Sequence, residues 1–190
     1  MGSSAHHHSK SGLSGEISEH IGVNVEKCYQ CGKCSAGCPV ASEMDYPPSL
    51  MLRMLQTGDK ELEQKILKSY TIWLCVSCEM CYQRCPMEID IPVMCDFLRS
   101  KSLAQGLVHK KAKNIVKFHK AFLGSIRNTG RLYELGLIAK YKLGSMNLMQ
   151  DVDLAPAMIS KGKLHFLPEK IKNTAQMKRI FNKTISKKDK

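Results

Sequence analysis

The sequence has no run of 18 or more apolar residues, so nothing in it should span a bilayer. No positively charged segment leads into an apolar stretch near the N-terminus, so a secretory leader is not expected and the cytoplasm is the default location. A phosphate-binding Gly-x4-Gly-Lys-Ser/Thr, a Gly-x-Gly-x2-Gly after a strand and a His-Glu-x2-His are all missing, and with them the case for a self-sufficient enzyme. Aromatic residues make up 6% of the chain, too few to suggest a base-stacking surface. Apolar and polar residues almost never alternate with period two, which argues against a sheet and for a mostly α fold.

Cysteine is what the chain does have. Nine cysteines stand in 190 residues, and in a reducing compartment such a number calls for metal or redox chemistry rather than disulfides. All nine lie before residue 99, where Lys and Arg number 8 against 12 Asp and Glu. The remainder carries 21 Lys and Arg against 5 Asp and Glu. The chain is therefore electrically polar, with a cysteine-rich acidic half and a basic half.

Eight of the cysteines form two tight groups. The first reads Cys28-Tyr-Gln-Cys31-Gly-Lys-Cys34-Ser-Ala-Gly-Cys38-Pro39, and the second reads Cys75-Val-Ser-Cys78-Glu-Met-Cys81-Tyr-Gln-Arg-Cys85-Pro86. Both follow C-x2-C-x2-C-x3-C-P, the run that binds 4Fe–4S clusters in two-cluster ferredoxins. Two intervening residues let a tight turn offer successive thiolates to different irons of one cubane, while the fourth cysteine points away and serves the other cluster. On this logic Cys28, Cys31, Cys34 and Cys85 hold one cluster, and Cys75, Cys78, Cys81 and Cys38 hold the other. Gly32 and Gly37 would allow close approach and positive φ. Zinc is the competing reading, but zinc knuckles and ribbons use separated Cys-x2-Cys pairs without a trailing Cys-Pro. With thiolates on every iron no position is open to a substrate, which favours an electron relay.

Between the groups, Met44 to Pro48 reads as a stiff non-helical entry. Ser49 could cap a short helix carrying Leu50, Met51, Met54 and Leu55, stopped at Thr57-Gly58. Asp59 could cap a second, with Leu62, Ile66, Leu67 and Tyr70 on one face. Past Pro92, Leu103 to Leu123 keeps a helical period with lysines opposite, Gly124 and Gly130 bracket a break, and Leu132 to Tyr141 reads as another helix. The sequence predicts a loose N-terminus or tag over residues 1–16, a two-cluster domain over 17–100 and a basic helical extension for docking to other subunits over 101–190. Cys95 reads as a buried structural thiol and His119 as a packed helix residue. Tyr29, Trp73 and Tyr82 could shield clusters from water or simply fill the core.

The motif pair with a helical insert of 36 residues between Cys38 and Cys75 resembles the α-helical ferredoxin fold. Two stretches of the chain are similar to the iron–sulfur C subunit of heterodisulfide reductase from methanogens and related anaerobes. One is the run from Ile72-Trp73-Leu74-Cys75 to Arg84-Cys85-Pro86; the other is the late Gly162-Lys163-Leu164 with Phe166-Leu167-Pro168-Glu169-Lys170-Ile171-Lys172. The resemblance implies a non-catalytic component with two [4Fe-4S] clusters. It would take electrons from a flavin-containing A subunit and deliver them to a catalytic B subunit, which reduces the mixed disulfide of coenzyme M and coenzyme B. Larger assemblies include a hydrogenase or formate dehydrogenase. A relay role in another anaerobic dehydrogenase or reductase is the alternative. Without adjacent cysteine pairs in this chain, the disulfide-cleaving site must belong to a different polypeptide of the complex. The basic half is read as a docking face for an acidic partner rather than a nucleic-acid surface, and no output domain suggests a sensor.

Overall fold

The computed structural model describes residues 12–146, 149, 152–162 and 167–184. The fold is mostly α: the described residues contain helices and turns and no strand. In chain order the α-helices are α1 (Leu13–Ile21), α2 (Lys33–Ala36), α3 (Pro48–Gln56), α4 (Lys60–Lys68), α5 (Thr71–Leu74), α6 (Met80–Gln83), α7 (Ile91–Ala104), α8 (Lys113–Thr129), α9 (Glu134–Ser145), α10 (Ala155–Ser160) and α11 (Thr174–Thr184). The chain divides into two compact units, Met1–Lys110 and Lys111–Lys190.

In the first unit α1, α3, α4, α5 and α7 pack on one another. Their inward faces supply Ile17, Met51, Leu52, Leu55, Ile66, Leu67, Ile72, Met94 and Leu98, all within 2% of complete burial. Burying an aliphatic side chain of this size contributes about 1.5–3 kcal/mol, so this apolar stripe is what makes such short helices worth forming. α1 begins inside the stretch 1–16 expected to be loose, because Leu13 and Ile17 reach the core and the buried carboxylate of Glu63 accepts from Leu13 N at 2.7 Å. The tag reading of the first residues otherwise lies outside the described residues, as does the middle of the late stretch from Gly162 to Lys172. α7 likewise continues past residue 100, tied down by Ser102 Oγ donating to Leu67 O at 2.8 Å.

The segment between the cysteine groups shows how local chemistry aims the helices. α3 starts at Pro48 rather than being capped by Ser49, since proline at the first helical position gives up no hydrogen bond. Its cap comes from outside: Ser35 Oγ, on α2, accepts from Ser49 N at 2.8 Å. Asp59 does cap α4, accepting from Glu61 N at 2.7 Å. Asp45 Oδ2 accepts from Tyr70 N at 2.6 Å, which ties the proline-rich entry to the start of α5. The helical period read continuously from Leu103 to Leu123 is broken into α7 and α8, with Gly106 at φ 68 between them.

In the second unit α8 packs on α9 and α11. Phe118 meets Tyr141 edge-on at 5.9 Å, Arg127 donates to Asn182 Oδ1 at 2.8 Å, and Arg131 pairs with Glu169 at 2.5 Å. Gly124 lies within α8 rather than at a break; Gly130 alone ends the helix, as its left-handed C-cap at φ 80. His119 is exposed on α8 beside Phe118, not packed in a core.

Candidate functional site

The two cysteine groups fold as two copies of one turn. In each, the residue before the second cysteine is left-handed, Gln30 at φ 61 and Ser77 at φ 52. So is the residue after it, Gly32 at φ 76 and Glu79 at φ 59. A single short helix follows, α2 or α6, with the third cysteine, Cys34 or Cys81, buried in it. The fourth cysteine closes each copy with the same bond, Cys38 N to Ser35 O at 3.2 Å and Cys85 N to Tyr82 O at 2.9 Å. α2 and α6 pack directly on each other, so the copies face one another. Gly37 permits this closeness: a Cβ there would stand 2.5 Å from Arg84 Nη1 of the other copy.

Each copy is held from behind by one side chain. Gln56, at the end of α3, donates through Nε2 to Val25 O at 3.1 Å and Cys28 O at 2.7 Å. Arg99, on α7, donates through Nε to Ile72 O at 2.5 Å and through Nη2 to Cys75 O. The accepting carbonyls are equivalent, belonging to the first cysteine and to the residue three before it.

The cysteines meet across the copies. Cys38, from the first motif, lines one cavity with Cys75, Cys78 and Cys81 of the second; Pro39, Met44, Met51 and Ile91 are among its largely apolar walls. Cys28, Cys31 and Cys85 all act on the hydroxyl of Tyr29, which desolvation, then these thiols, pushes above its usual range. Burial pushes the Cys34 thiol up, with Cys28 and Cys31 adding to it. Burial likewise pushes Cys81 up to about 11, with further contributions from Cys75 and from Cys34 of the other copy. Cys75 goes the other way, to about 6, because the thiol of Cys95 donates to its sulfur, helped by Ser77 N–H and the Arg99 guanidinium. Backbone N–H groups also reach sulfur elsewhere: Gln30 N to Cys28 Sγ and Ile89 N to Cys85 Sγ, both at 3.4 Å.

Among the described residues, no group of three or more His, Cys, Asp and Glu side chains is placed to hold a metal ion. The donor set does fit a larger thiolate-ligated group. Five thiols, four of them from the motifs, line an apolar chamber, and peptide N–H dipoles point at motif sulfurs, where a buried anionic assembly needs compensation. Cys31 and Cys78 are exposed, so each site has an edge at the surface. Of the three aromatics considered for shielding, Trp73 is buried in the core while Tyr29 is 59% exposed.

Sequence reasoning missed the roles of Gln56, Arg99 and Cys95. Cys95 is indeed buried, but it lines the cavity with four other thiols. Nothing in one sequence marks the two clamps, since they sit 28 and 24 positions beyond Cys28 and Cys75.

Comparison with known proteins places this geometry. Residues 24–89, the span holding both turns, match the family described as a 4Fe-4S dicluster domain. The second iron–sulfur C subunit of CoB–CoM heterodisulfide reductase from Methanocaldococcus jannaschii is 31% identical over 128 residues, covering 65% of this chain and 67% of that protein. The chain belongs to the family of heterodisulfide reductase iron–sulfur C subunits. The corresponding protein of Methanopyrus kandleri is 32% identical over 96 residues, 50% of this chain and 48% of the relative. The C subunit of the H(2):CoB-CoM heterodisulfide,ferredoxin reductase from Methanothermobacter marburgensis is 28% identical over 113 residues, 57% and 60% of the two chains. The matched part thus spans from about half to two thirds of these relatives.

Proposed function

We propose that this protein holds two [4Fe-4S] clusters, one on Cys28, Cys31, Cys34 and Cys85 and one on Cys75, Cys78, Cys81 and Cys38. It relays single electrons as a non-catalytic component of a heterodisulfide reductase complex. The observation that carries this reading is the cavity that Cys38 shares with Cys75, Cys78 and Cys81, four thiols from two separate motifs around one apolar chamber. When bound, each cluster supplies reversible one-electron chemistry.

The chain's own residues do the rest. Eight cysteines would complete the coordination of both groups, leaving no iron open to substrate. Gln30 and Ile89 donate to ligand sulfurs and offset the negative charge that each added electron increases. Cys34 and Cys81 are both buried on α2 and α6, which pack on each other, so a path between the two groups would lie inside the protein. Cys31 and Cys78 lie at exposed edges, where Tyr29, Val76 and Met80 offer apolar surface to a donor and an acceptor. The partners in this reading are a flavin-containing A subunit and a catalytic B subunit that reduces the coenzyme M–coenzyme B heterodisulfide, in the cytoplasm. A hydrogenase or formate dehydrogenase would feed the complex.

Docking is assigned to the basic second half. Leu143, Met146, Met149, Leu154 and Leu167 there are more than half exposed, and the stretch from 160 to 190 carries 10 Lys and Arg. Apolar surface set among positive charge suits an acidic protein partner better than nucleic acid, which this chain has few aromatics to stack. No described helix is long and apolar enough to cross a membrane.

The test is anaerobic purification at low salt with nuclease, identification of each co-eluting protein, and assay of heterodisulfide reduction. A flavoprotein and a cysteine-rich catalytic protein that elute with the chain, together with activity, support the assignment. Elution with a different dehydrogenase would leave a two-cluster relay in another anaerobic complex.

A further inference from the structure

The two turns share a frame, but their surroundings differ in charge. Behind the first turn the clamp is a neutral amide: Gln56 holds the carbonyls of Val25 and Cys28, and its Oε1 accepts from Gln30 Nε2 at 3.1 Å. The residue one helical turn before it is the buried aliphatic Leu52. Behind the second turn the clamp is the guanidinium of Arg99, and the residue one helical turn before it is Cys95, a buried thiol that lines the same cavity as Cys75. Helix α7 thus places a fixed cation behind Cys75 where α3 places a neutral amide behind Cys28.

Arg99 has a partner, Asp96 Oδ1 at 2.8 Å, which does not cancel its effect. The Asp96 side chain is 66% exposed and its charge is screened by water, whereas the Arg99 side chain is 19% exposed and bonded to the ligand-bearing backbone. Adding an electron to a cluster adds negative charge, so a nearby cation and a hydrogen bond to a ligand sulfur both favour the reduced form. The first site has hydrogen bonds to sulfur from neutral donors, Gln30 N and Nε2 to Cys28 Sγ and Ile89 N to Cys85 Sγ at 3.3–3.4 Å, so what sets the two sites apart is the charge of Arg99.

We propose that Arg99 acts as a potential-setting residue, raising the reduction potential of the cluster on Cys38, Cys75, Cys78 and Cys81 above that of its neighbour, so that electrons enter at the Cys28 site and leave from the Cys75 site. This rests on the two-cluster reading above.

The experiment is an anaerobic redox titration of the reconstituted full chain, followed by electron paramagnetic resonance. The signal lost in Cys78→Ala identifies the second cluster. Arg99→Gln copies the clamp that already works at Gln56, so both carbonyl bonds can persist while the charge goes. Arg99→Lys keeps the charge. The expected result is a downward shift of the second cluster's midpoint in Arg99→Gln, near wild-type behaviour in Arg99→Lys, and an unmoved first cluster in both. Equal shifts in the Gln and Lys variants would overturn the inference, as would no shift, a shift of the first cluster instead, or a wild-type first cluster that titrates above the second. Loss of the cluster in Arg99→Gln would also overturn it, because Arg99 would then be only a brace. A wild-type protein without two signals would instead defeat the two-cluster reading itself.

Discussion

Gln56 and Arg99 make the same connection in the two halves of the first unit, each donating to the carbonyl of its motif's first cysteine and to the carbonyl three residues earlier. Those carbonyls come at the start of turns that must spend their N–H groups on sulfur. Val25 O also accepts from Cys28 N at 3.1 Å, so the carbonyls that depend most on a donor from behind are those of the two first cysteines.

Gln56→Ala strips both bonds at once. Leaving a part-buried carbonyl unpaired costs about 1–3 kcal/mol, so the variant should unfold earlier on heating under anaerobic conditions. It should also lose iron faster to a chelator, first from the group on Cys28. Unchanged melting and chelation would mean the clamp is dispensable.

Ligand exchange between the motifs has its own signature. Cys38→Ala and Cys78→Ala should remove the same spectroscopic signal, although Cys38 lies in the other motif. Cys31→Ala and Cys85→Ala should remove the other one. If Cys38→Ala matched Cys31→Ala instead, each motif would be holding its own cluster.

Much of this is legible in the sequence. The spacing of Cys28 to Cys38 and Cys75 to Cys85 carries the chemistry, because a cubane accepts few loop lengths. Asp59 is legible as a cap because its bond is local, to Glu61 two residues on. What cannot be read are partnerships across the chain. Ser49 reads as the cap of α3, but Ser35 does that work from 14 residues away. Cys95 gives no sign of its neighbours because a buried thiol and a sulfur donor look alike in sequence. Gly124 reads as a break in a helix that tolerates it, since a single glycine costs only about 1 kcal/mol against alanine.

In the cluster-free protein the cysteines should titrate apart. Cys75 falls to about 6 and Cys81 rises to about 11, against an ordinary value of 9.0. Alkylation followed by mass spectrometry should therefore label Cys75 at neutral pH and Cys81 only under alkaline conditions. Because the folded value of Cys75 lies below its unfolded one, its contribution to stability is full above pH 9.0 and is lost as the pH falls through about 6. A uniform labelling profile across pH would contradict the hydrogen bond from Cys95.

Gly130→Ala probes the second unit alone. Its φ of 80 costs a side chain about 1–2 kcal/mol, and the added Cβ would collide with Ile171 Cγ1. We expect a lower thermal midpoint and weakened capture of partner proteins, with iron content unchanged. Loss of iron would show that the cysteine unit depends on this helix end.

The most direct test of the central claim is a count of iron and acid-labile sulfide on anaerobically purified protein, with resonance spectra of the reduced form. Two clusters predict about eight of each per chain and two interacting reduced-cluster signals. Zinc in place of iron, or about four irons with one isolated signal, would contradict the two-cluster relay.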